Sequence, residues 1–466
     1  MKQSDIEIEE IFQFMIDIVF TIIGGGQEIG ANCYHLDIDG TGIILDAGLH
    51  PQKNGAEAIP NLSLLNDLQS DFALISHAHT DHIGALPYLI QQFPYLKIFT
   101  SPQTRDLAEV MLHNSLAITQ KDIIDCDPLP KYTHEQVDLL TESINPLIYN
   151  QLFALQGYRG SNEVKVTFFD AGHILGSAGI LLKNESVRVF YTGDTCVPKQ
   201  SLLAGADYPD GPVDVLILES TAGATDSLAK RGEEAKCLAK SINKIIEKGG
   251  SILIPIFALG KFQETLTLLN TLMDKGSIPH VDIYTSGMAR EISDIYDLHR
   301  YNTKRIKKDF CIKEIPQLPI IQDELLTAKY FQIPSIVLAS SGMMIEGTTS
   351  FALAQRWLRE KNFGIFFVGY VDPLTPANAV LTGDEGNLQQ RFGSKIACEV
   401  ETFRLTSHSN REELIELVKR LKPKLVILVH GELDGIEWLG KEILTRFPKT
   451  KVQVPELGKK VTFCYG

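Results

Sequence analysis

The sequence predicts an α/β protein of more than one domain, and three observations carry that prediction. The chain has 466 residues, more than a single average core encloses. From Asp17 to Leu49 it reads as short consecutive strands punctuated by glycine turns. From about 227 to 378 helical and strand-like segments alternate, which is the pattern of βα units around a parallel sheet.

The elements follow in order. Ile18-Val19-Phe20-Thr21-Ile22-Ile23 is a β-branched and aromatic run that stops at Gly24-Gly25-Gly26. Cys33 to Ile38 and Ile43 to Asp46 are two more runs, joined at Asp39-Gly40, a hairpin dipeptide. These are expected to be sequential antiparallel strands. Phe72-Ala73-Leu74-Ile75 reads as a short buried strand, with Gly84 and Pro87 punctuating the loop that follows. Residues 103 to 158 hold few glycines and many helix formers, so a helical excursion is expected there. Strands resume at Val164 to Asp170 and at Val187 to Tyr191. Glu233 to Lys248 has apolar residues at 235, 238, 239, 242, 245 and 246, a helical period, and leads through Gly249-Gly250 into the strand Ser251 to Pro255. An Arg411 to Leu421 helix and a Lys424 to Val429 strand repeat that logic before His430.

Hydrophobic residues make up 44% of the chain, as in an ordinary globular protein, and the net charge is −14. That charge excludes a broadly basic nucleic-acid coat, so a polyanion would have to be held by local basic patches and by metal ions. The seven cysteines (33, 126, 196, 237, 311, 398 and 464) form no Cys-x-x-Cys pair and imply reduced thiols. Met1 to Glu10 is acidic where a secretory signal is basic, and the apolar run Ile11 to Ile23 is broken by Gln13 and Asp17 and is too short to span a bilayer. A cytoplasmic protein with no membrane partner is expected.

The most informative stretch is His77-Ala78-His79-Thr80-Asp81-His82, three imidazoles and a carboxylate at the end of a strand. Imidazole and carboxylate suit zinc, and the tight spacing divides them between two neighbouring ions, His77 and His79 on one, Asp81 and His82 on the other. Three further candidates each follow a strand-like run: His173 after Asp170, Asp194 after Tyr191, and His430 after Val429. Asp194 can bridge two ions because a carboxylate has two oxygens. Any one of these histidines alone would read as a surface or core residue; together they read as a metal cage.

Asp46, the His77/His79/Asp81/His82 cluster, His173 and Asp194 appear in the order of the metallo-β-lactamase superfamily motifs, which this chain resembles. Glu219-Ser220-Thr221, Ser407-His408-Ser409 and Val429-His430-Gly431-Glu432 resemble the motifs of its β-CASP branch of nucleic-acid-processing nucleases, in particular RNA-processing members of bacterial and archaeal type. Gly24 to Gly30 and Ser340-Ser341-Gly342-Met343 are also similar to that branch. The resemblance implies an αββα sandwich with an inserted α/β β-CASP domain, divided as 1–208, 209–379 and 380–466. It implies that His77, His79 and His173 hold one Zn2+, that Asp81, His82 and His430 hold a second, that Asp194 bridges, and that Asp46 orients ligands. Related di-iron proteins carry Glu where this chain has Ala78, which favours zinc.

The implied activity is hydrolysis of RNA phosphodiester bonds with a metal-activated hydroxide, endonucleolytic and also 5′-to-3′ exonucleolytic, leaving phosphate on the 5′ side. Asp81, Asp194, Glu219 and His408 are the catalytic candidates, with His408 protonating the leaving oxygen or gripping the scissile phosphate and Glu219 orienting it. Candidate RNA contacts are Ser340, Ser341 and Lys261, with Arg300, Lys304 and Arg305 around Tyr301, an aromatic among cations as single-strand binding favours. Lys236, Lys240, Lys244 and Lys248 form either a phosphate track or, the favoured reading, a solvated helix face. His430 resembles the RNA-cutting members, since Artemis-like DNA nucleases carry an apolar residue there. The expected partners are single-stranded RNA and either a second copy or another protein that supplies specificity. A DNA nuclease, a small-molecule hydrolase and a non-catalytic subunit of an RNA-processing complex are the alternatives. Three positions depart from the branch: Asn410 replaces an Asp expected to tune His408, residues 371–375 replace a glycine-rich, Arg-containing stretch, and Lys261 replaces an Arg.

Overall fold

The computed structural model describes residues 16–121, 132–158, 163–225, 230–321, 331 and 333–465. The acidic start Met1 to Glu10 and Cys126 lie outside them. The chain forms two compact units, one built from Met1–Pro198, Gly205–Asp226 and His408–Gly466, the other from Lys199–Ala204 and Ser227–Ser407.

In the first unit, β1 (Ile16–Gly24), β2 (Cys33–Ile38) and β3 (Thr41–Leu45) are antiparallel neighbours. Then β4 (Phe72–Leu74), β5 (Lys97–Thr100) and β6 (Asn145–Pro146) extend the sheet in parallel. A second sheet starts with β7 (Phe153–Leu155), β8 (Val164–Asp170), β9 (Ala178–Lys183) and β10 (Arg188–Tyr191), all antiparallel, and β11 (Val215–Glu219) joins β10 in parallel. Among the described residues the second unit holds six strands: β12 (Ile252–Pro255), β13 (Asp282–Thr285), β14 (Leu318–Pro319), β15 (Ser335–Ala339), β16 (Gly364–Phe367) and β17 (Glu399–Thr402). They form one sheet in the order β14-β13-β15-β12-β16-β17, with every pairing parallel. The chain then returns to the first unit, where β18 (Leu425–Val429) lies between β11 and β19 (Lys451–Gln453), and β20 (Lys460–Tyr465) pairs with β1.

Period-two alternation explains the layering of the first unit. Phe20, Tyr34, Leu36 and Leu74 of one sheet pack against Phe168, Ile180, Val189, Ile217 and Ile427 of the other, all fully buried or nearly so. Their sequence neighbours face outwards. Ile44 and Ala73 pack with Leu112 of the helix Pro102–Lys121 and Val137 and Leu140 of the helix His134–Ser143. Leu216, Leu218, Val426 and Leu428 pack with Leu414, Leu417, Val418 and Leu421 of the helix Arg411–Leu421 and with Ile436, Leu439 and Ile443 of the helix Leu433–Arg446. Strands covered on both faces are apolar throughout, as Val215-Leu216-Ile217-Leu218 shows. The result is an αββα sandwich.

Two boundaries differ from expectation. The insertion begins after residue 226 and ends before 408, not at 208/209 and 379/380, because β11 is a strand of the sandwich while β17 pairs with β16 in the inserted sheet. The stretch 103–158 is helical only in part, since β6 and β7 occupy its end. Asn145-Pro146 sits at a sheet edge, where a proline costs no ladder bond.

Strand direction determines where the chemistry collects. Both β8 and β10 run antiparallel to β9, and β10, β11 and β18 are mutually parallel, so all four end on the same side of the second sheet. In the first sheet β3 and β4 also run parallel. The loops leaving these six carboxyl ends carry the candidate residues.

Candidate metal centre

His77 follows β4 and is fully buried, while Asp81 and His82 lie in the one-turn helix Thr80–Ile83 just beyond. The loop is held from behind: Asn32 donates to the Asp81 carbonyl oxygen from its backbone nitrogen at 3.0 Å and from Nδ2 at 2.9 Å. Gly48 packs so closely that a Cβ there would sit 1.6 Å from the same oxygen. Asp46 directly follows β3 and His430 directly follows β18, and both adopt left-handed backbone, with φ of 61° and 51°. Such a conformation is uncommon for a side-chain-bearing residue and persists only where packing enforces it.

Two clusters meet at Asp194. In the first, His79 Nδ1 lies 3.1 Å from both His77 Nε2 and His173 Nε2, and Asp194 Oδ2 lies 3.7 Å from each of those two Nε2 atoms. In the second, Asp81 Oδ2 lies 3.6 Å from His82 Nε2 and 3.3 Å from His430 Nε2. The other oxygen of Asp194, Oδ1, faces this cluster, 3.4 Å from His82 Nε2 and 3.1 Å from His430 Nδ1. Ligand atoms bound tetrahedrally to zinc sit roughly 3.3 Å apart when each bond is about 2.0–2.1 Å, so both clusters are close to the size of a filled site. Asp194 Oδ1 is also buried without a hydrogen-bond partner among the described residues. A buried carboxylate oxygen of that kind is costly unless a cation meets it. The residues present therefore fit divalent metal, with Asp194 facing both clusters.

Asp46 is fully buried and accepts four hydrogen bonds: from the Ser76 backbone nitrogen at 2.6 Å, Ser76 Oγ at 2.8 Å, the Tyr191 hydroxyl at 2.6 Å and His82 Nδ1 at 2.8 Å. Holding the proton on Nδ1 leaves the His82 Nε2 lone pair aimed at Asp81 and Asp194. Burial would raise the Asp194 pKa, but the imidazoles of His430, His82 and His77 hold it well below the usual carboxylate range. Burial pushes His77 well below an ordinary histidine, and the nearby His82 adds to that. His82 lies above the ordinary value despite burial, because Asp194, Asp81 and Asp46 surround it.

A third group borders the cage. Glu219, at the end of β11, is buried and accepts from the Thr195 backbone nitrogen at 2.8 Å, and His408 Nδ1 lies 3.2 and 3.3 Å from its two oxygens. The His408 ring centre is 4.5 Å from that of His173. Asp194, Glu219 and His408 offer ligand-type atoms within 4.8 Å of one another. The Asn410 side chain caps the helix Arg411–Leu421, its Oδ1 accepting from the Glu412 and Glu413 nitrogens at 3.0 and 3.1 Å. Asp and Asn are equivalent as caps, so the departure at 410 has a local structural role.

The inserted unit carries the other candidates. Ser340 and Ser341 follow β15, where their carbonyls accept from the Ser350 nitrogen at 3.0 Å and the Ser350 hydroxyl at 2.7 Å. The Lys261 ammonium donates to the Leu405 carbonyl. The Arg300 guanidinium lies over the exposed Tyr301 ring, 4.5 Å from its centre, and Lys304 is exposed. Arg305 is a correction. Its side chain is fully buried, pairs with Asp297 at 3.3 Å and donates to the Phe310 and Tyr296 carbonyls, so it braces the loop and cannot reach RNA. Lys244 and Lys248 pair with Glu399, which agrees with a helix face and leaves little of a phosphate track.

Sequence reasoning missed Ser76, Tyr191, Thr221 and Asn32. Thr221 Oγ1 lies 2.9 Å from His430 Nδ1. Ser76 and Thr221 stand one and two residues from named candidates, and Tyr191 ends the strand that delivers Asp194, so proximity to a motif was the available signal.

Three family models match the chain: a metallo-β-lactamase superfamily domain over residues 35–221, a β-CASP domain over 262–380, and a Zn-dependent metallo-hydrolase RNA specificity domain over 393–455. Cleavage and polyadenylation specificity factor 73 of Drosophila melanogaster is 30% identical over 428 residues, covering 90% of this chain and 60% of that protein. Integrator complex subunit 11 of Danio rerio is 27% identical over 441 residues, covering 93% and 72%. Endoribonuclease YSH1 of Candida glabrata is 28% identical over 452 residues, covering 93% and 57%. The chain thus spans less than two thirds of the first and third of these relatives. A crystal structure of a protein of unknown function from Enterococcus faecalis V583 shares the fold, with a TM-score of 0.56 at 12% identity over 96% of this chain and 100% of that one. The motifs, the αββα sandwich with its insertion and the three matched models agree: the chain belongs to the β-CASP family of the metallo-β-lactamase superfamily.

Proposed function

We propose that this chain is a zinc-dependent ribonuclease that hydrolyses phosphodiester bonds of single-stranded RNA, cutting internally and, from a free 5′ end, stepwise towards 3′. The observation that carries the reading is the adjacency of the cage to the Glu219–His408 pair on the same edge of the sandwich. His77, His79 and His173 would hold one ion, Asp81, His82 and His430 the other, and Asp194 both. When bound, two divalent ions supply a water activated near neutral pH and neutralise charge on the phosphodiester. The chain's own groups do the rest. Asp46 fixes the His82 tautomer, Thr221 steadies His430, and Glu219 holds the His408 proton on Nδ1 so that Nε2 is the nitrogen that exchanges a proton with the leaving oxygen.

The matched RNA specificity model and the names of the relatives, an endoribonuclease and a cleavage and polyadenylation factor, support RNA over DNA. The nitrogen-rich donor set supports zinc. Integrator complex subunit 11 bears the name of a complex subunit, which supports specificity supplied by a partner protein; a second copy of this chain is the other candidate. No disulfide joins the described cysteines, which supports the cytoplasm, and no described helix is long and apolar enough to cross a membrane.

The test is a gel assay of matched 5′-labelled single-stranded RNA and DNA with zinc-loaded protein. RNA-selective cutting that His77→Ala abolishes, together with metal loss in that variant, is the expected result. His408→Ala should keep its metal and cut about 10²- to 10⁴-fold more slowly, the usual share of a general acid. Equal metal loss in both variants would overturn the role given to His408, and intact zinc with no cutting of RNA in the wild type would overturn the ribonuclease reading.

A further inference from the structure

A second group of ligand-type side chains lies on the outer helices of the sandwich. Glu109 and His113 stand four residues apart on the helix Pro102–Lys121, and His134 and Asp138 four apart on the helix His134–Ser143, so each pair shares one face of its helix. The two helices are locked together beneath them by Leu112, Leu116, Val137 and Leu140, all buried. Thr133 caps the second helix, with Gln136 completing a capping box, which fixes the turn that carries His134.

The side chains converge. His113 Nε2 lies 2.8 Å from Asp138 Oδ1, and His113 Nδ1 lies 2.7 Å from His134 Nδ1, with the two rings stacked 4.9 Å apart at 19°. Glu109, His113 and Asp138 each offer a ligand atom within 4.8 Å of the other two. Two carboxylates therefore face one imidazole nitrogen, a surplus of negative charge that one divalent cation neutralises. His113 and Asp138 are 28% and 54% exposed, so ions reach the group from solvent without passing through the cage.

We propose that Glu109, His113 and Asp138 form an additional divalent-cation site, suited to zinc, that clasps the two helices, with His134 as its positioning residue. On binding, the His113 ring proton sits on Nδ1 and is donated to the His134 Nδ1 lone pair, while Nε2 turns its lone pair to the metal. A ring nitrogen with a fixed partner on its far side is the usual arrangement of a ligating histidine. One nitrogen and two oxygens leave coordination positions for water, and the exposure makes this site weaker than the cage.

The experiment is equilibrium dialysis of the full chain against buffered zinc, with metal per chain measured by mass spectrometry, for the wild type and for Glu109→Gln/Asp138→Asn. The wild type should bind one zinc more than the double variant, whatever number the cage holds, and RNA cutting should be equal in the two. His134→Ala should keep the extra zinc with affinity lowered about 10- to 100-fold. In a His77→Ala/His430→Ala background the extra zinc should persist, which separates this site from the cage. Unchanged far-UV circular dichroism and cage metal content serve as the folding check, and Glu109→Gln alone, on an exposed helix face, is the milder variant. Equal zinc binding by the wild type and the folded double variant across the titration would overturn the proposal.

Discussion

Asp46→Asn isolates what a buried carboxylate contributes to a metal cage it does not enter. The substitution keeps the shape, and Asn tolerates the left-handed backbone seen at φ 61°. What changes is the donor count. Asp46 Oδ2 accepts from Ser76 Oγ, the Tyr191 hydroxyl and His82 Nδ1, while Oδ1 accepts from the Ser76 nitrogen. An amide that keeps its oxygen towards the Ser76 nitrogen turns its NH2 towards His82, which can pair with it only by moving the ring proton from Nδ1 to Nε2. That proton then points at Asp81 and Asp194, where the lone pair is needed. The opposite orientation sets the NH2 against the Ser76 N–H, 2.6 Å from the present oxygen, and an unsatisfied buried donor costs about 1–3 kcal/mol. Either route weakens the Asp81/His82/His430 position by about 10- to 100-fold, roughly 1.4–2.7 kcal/mol, as loss of a ligand's supporting partner does elsewhere. Chelator competition followed by metal analysis should show one ion released early and the His77/His79/His173 ion retained. Two ions released at wild-type chelator concentrations would refute the tautomer argument.

Three further outcomes are expected. Gly48→Ala places a Cβ 1.6 Å from the Asp81 carbonyl oxygen, so the ligand loop must move; thermal melting should fall by at least the about 1–3 kcal/mol typical of overpacking, and metal content should fall with it. Arg305→Ala leaves the buried Asp297 carboxylate with its bonds from the Ile312 and Lys313 nitrogens but without its counter-charge, and chemical denaturation should register a loss of about 3 kcal/mol, the lower end for a broken buried pair; a variant of unchanged stability that had lost RNA affinity would restore Arg305 as an RNA contact. Glu28 is pulled from 4.5 down to about 2 by its bond to His50, against burial, with Lys53 adding to the pull. A depressed carboxylate stabilises the fold fully above the unfolded value near 4.5 and loses that contribution as pH falls towards 2, so Glu28→Gln should cost stability at neutral pH and cost nothing at the acid end. Glu28 is 41% exposed, so solvent screening limits the effect to under about 1 kcal/mol, and a deficit that grew on acidification would contradict the assignment.

Local pattern made part of this molecule legible. His77 to His82 is readable as a metal loop because three imidazoles and a carboxylate within six residues have few other uses, and the antiparallel β1, β2 and β3 follow from alternation and a turn dipeptide. Arg411–Leu421 was readable to the residue because Asn410 and Glu413 form a capping box. The insertion boundaries were not legible, because an apolar strand such as Val215–Leu218 looks the same in either sheet and only its pairing with β10 and β18 assigns it. Arg305 failed for a related reason. A cation among cations reads as a surface patch, and nothing local announces that Asp297 will draw that one guanidinium into the interior.

The Glu219–His408 pair shows how the fold makes a long-range contact inevitable. The two residues are 189 positions apart, yet nearly everything between them belongs to the inserted unit. The chain leaves the sandwich after β11, and its return leads through the helix Arg411–Leu421 into β18, the direct neighbour of β11. An insertion is tolerated where its two ends lie close together; here the departing end carries Glu219 and the returning end carries His408, 3.2 Å apart within the first unit. The same neighbouring strands place His430 beside Thr221. Parallel pairing of β11 and β18 therefore supplies both the junction that admits a second unit and the acid–imidazole pair next to Asp194, which is why a motif split across most of the chain is assembled by one strand register.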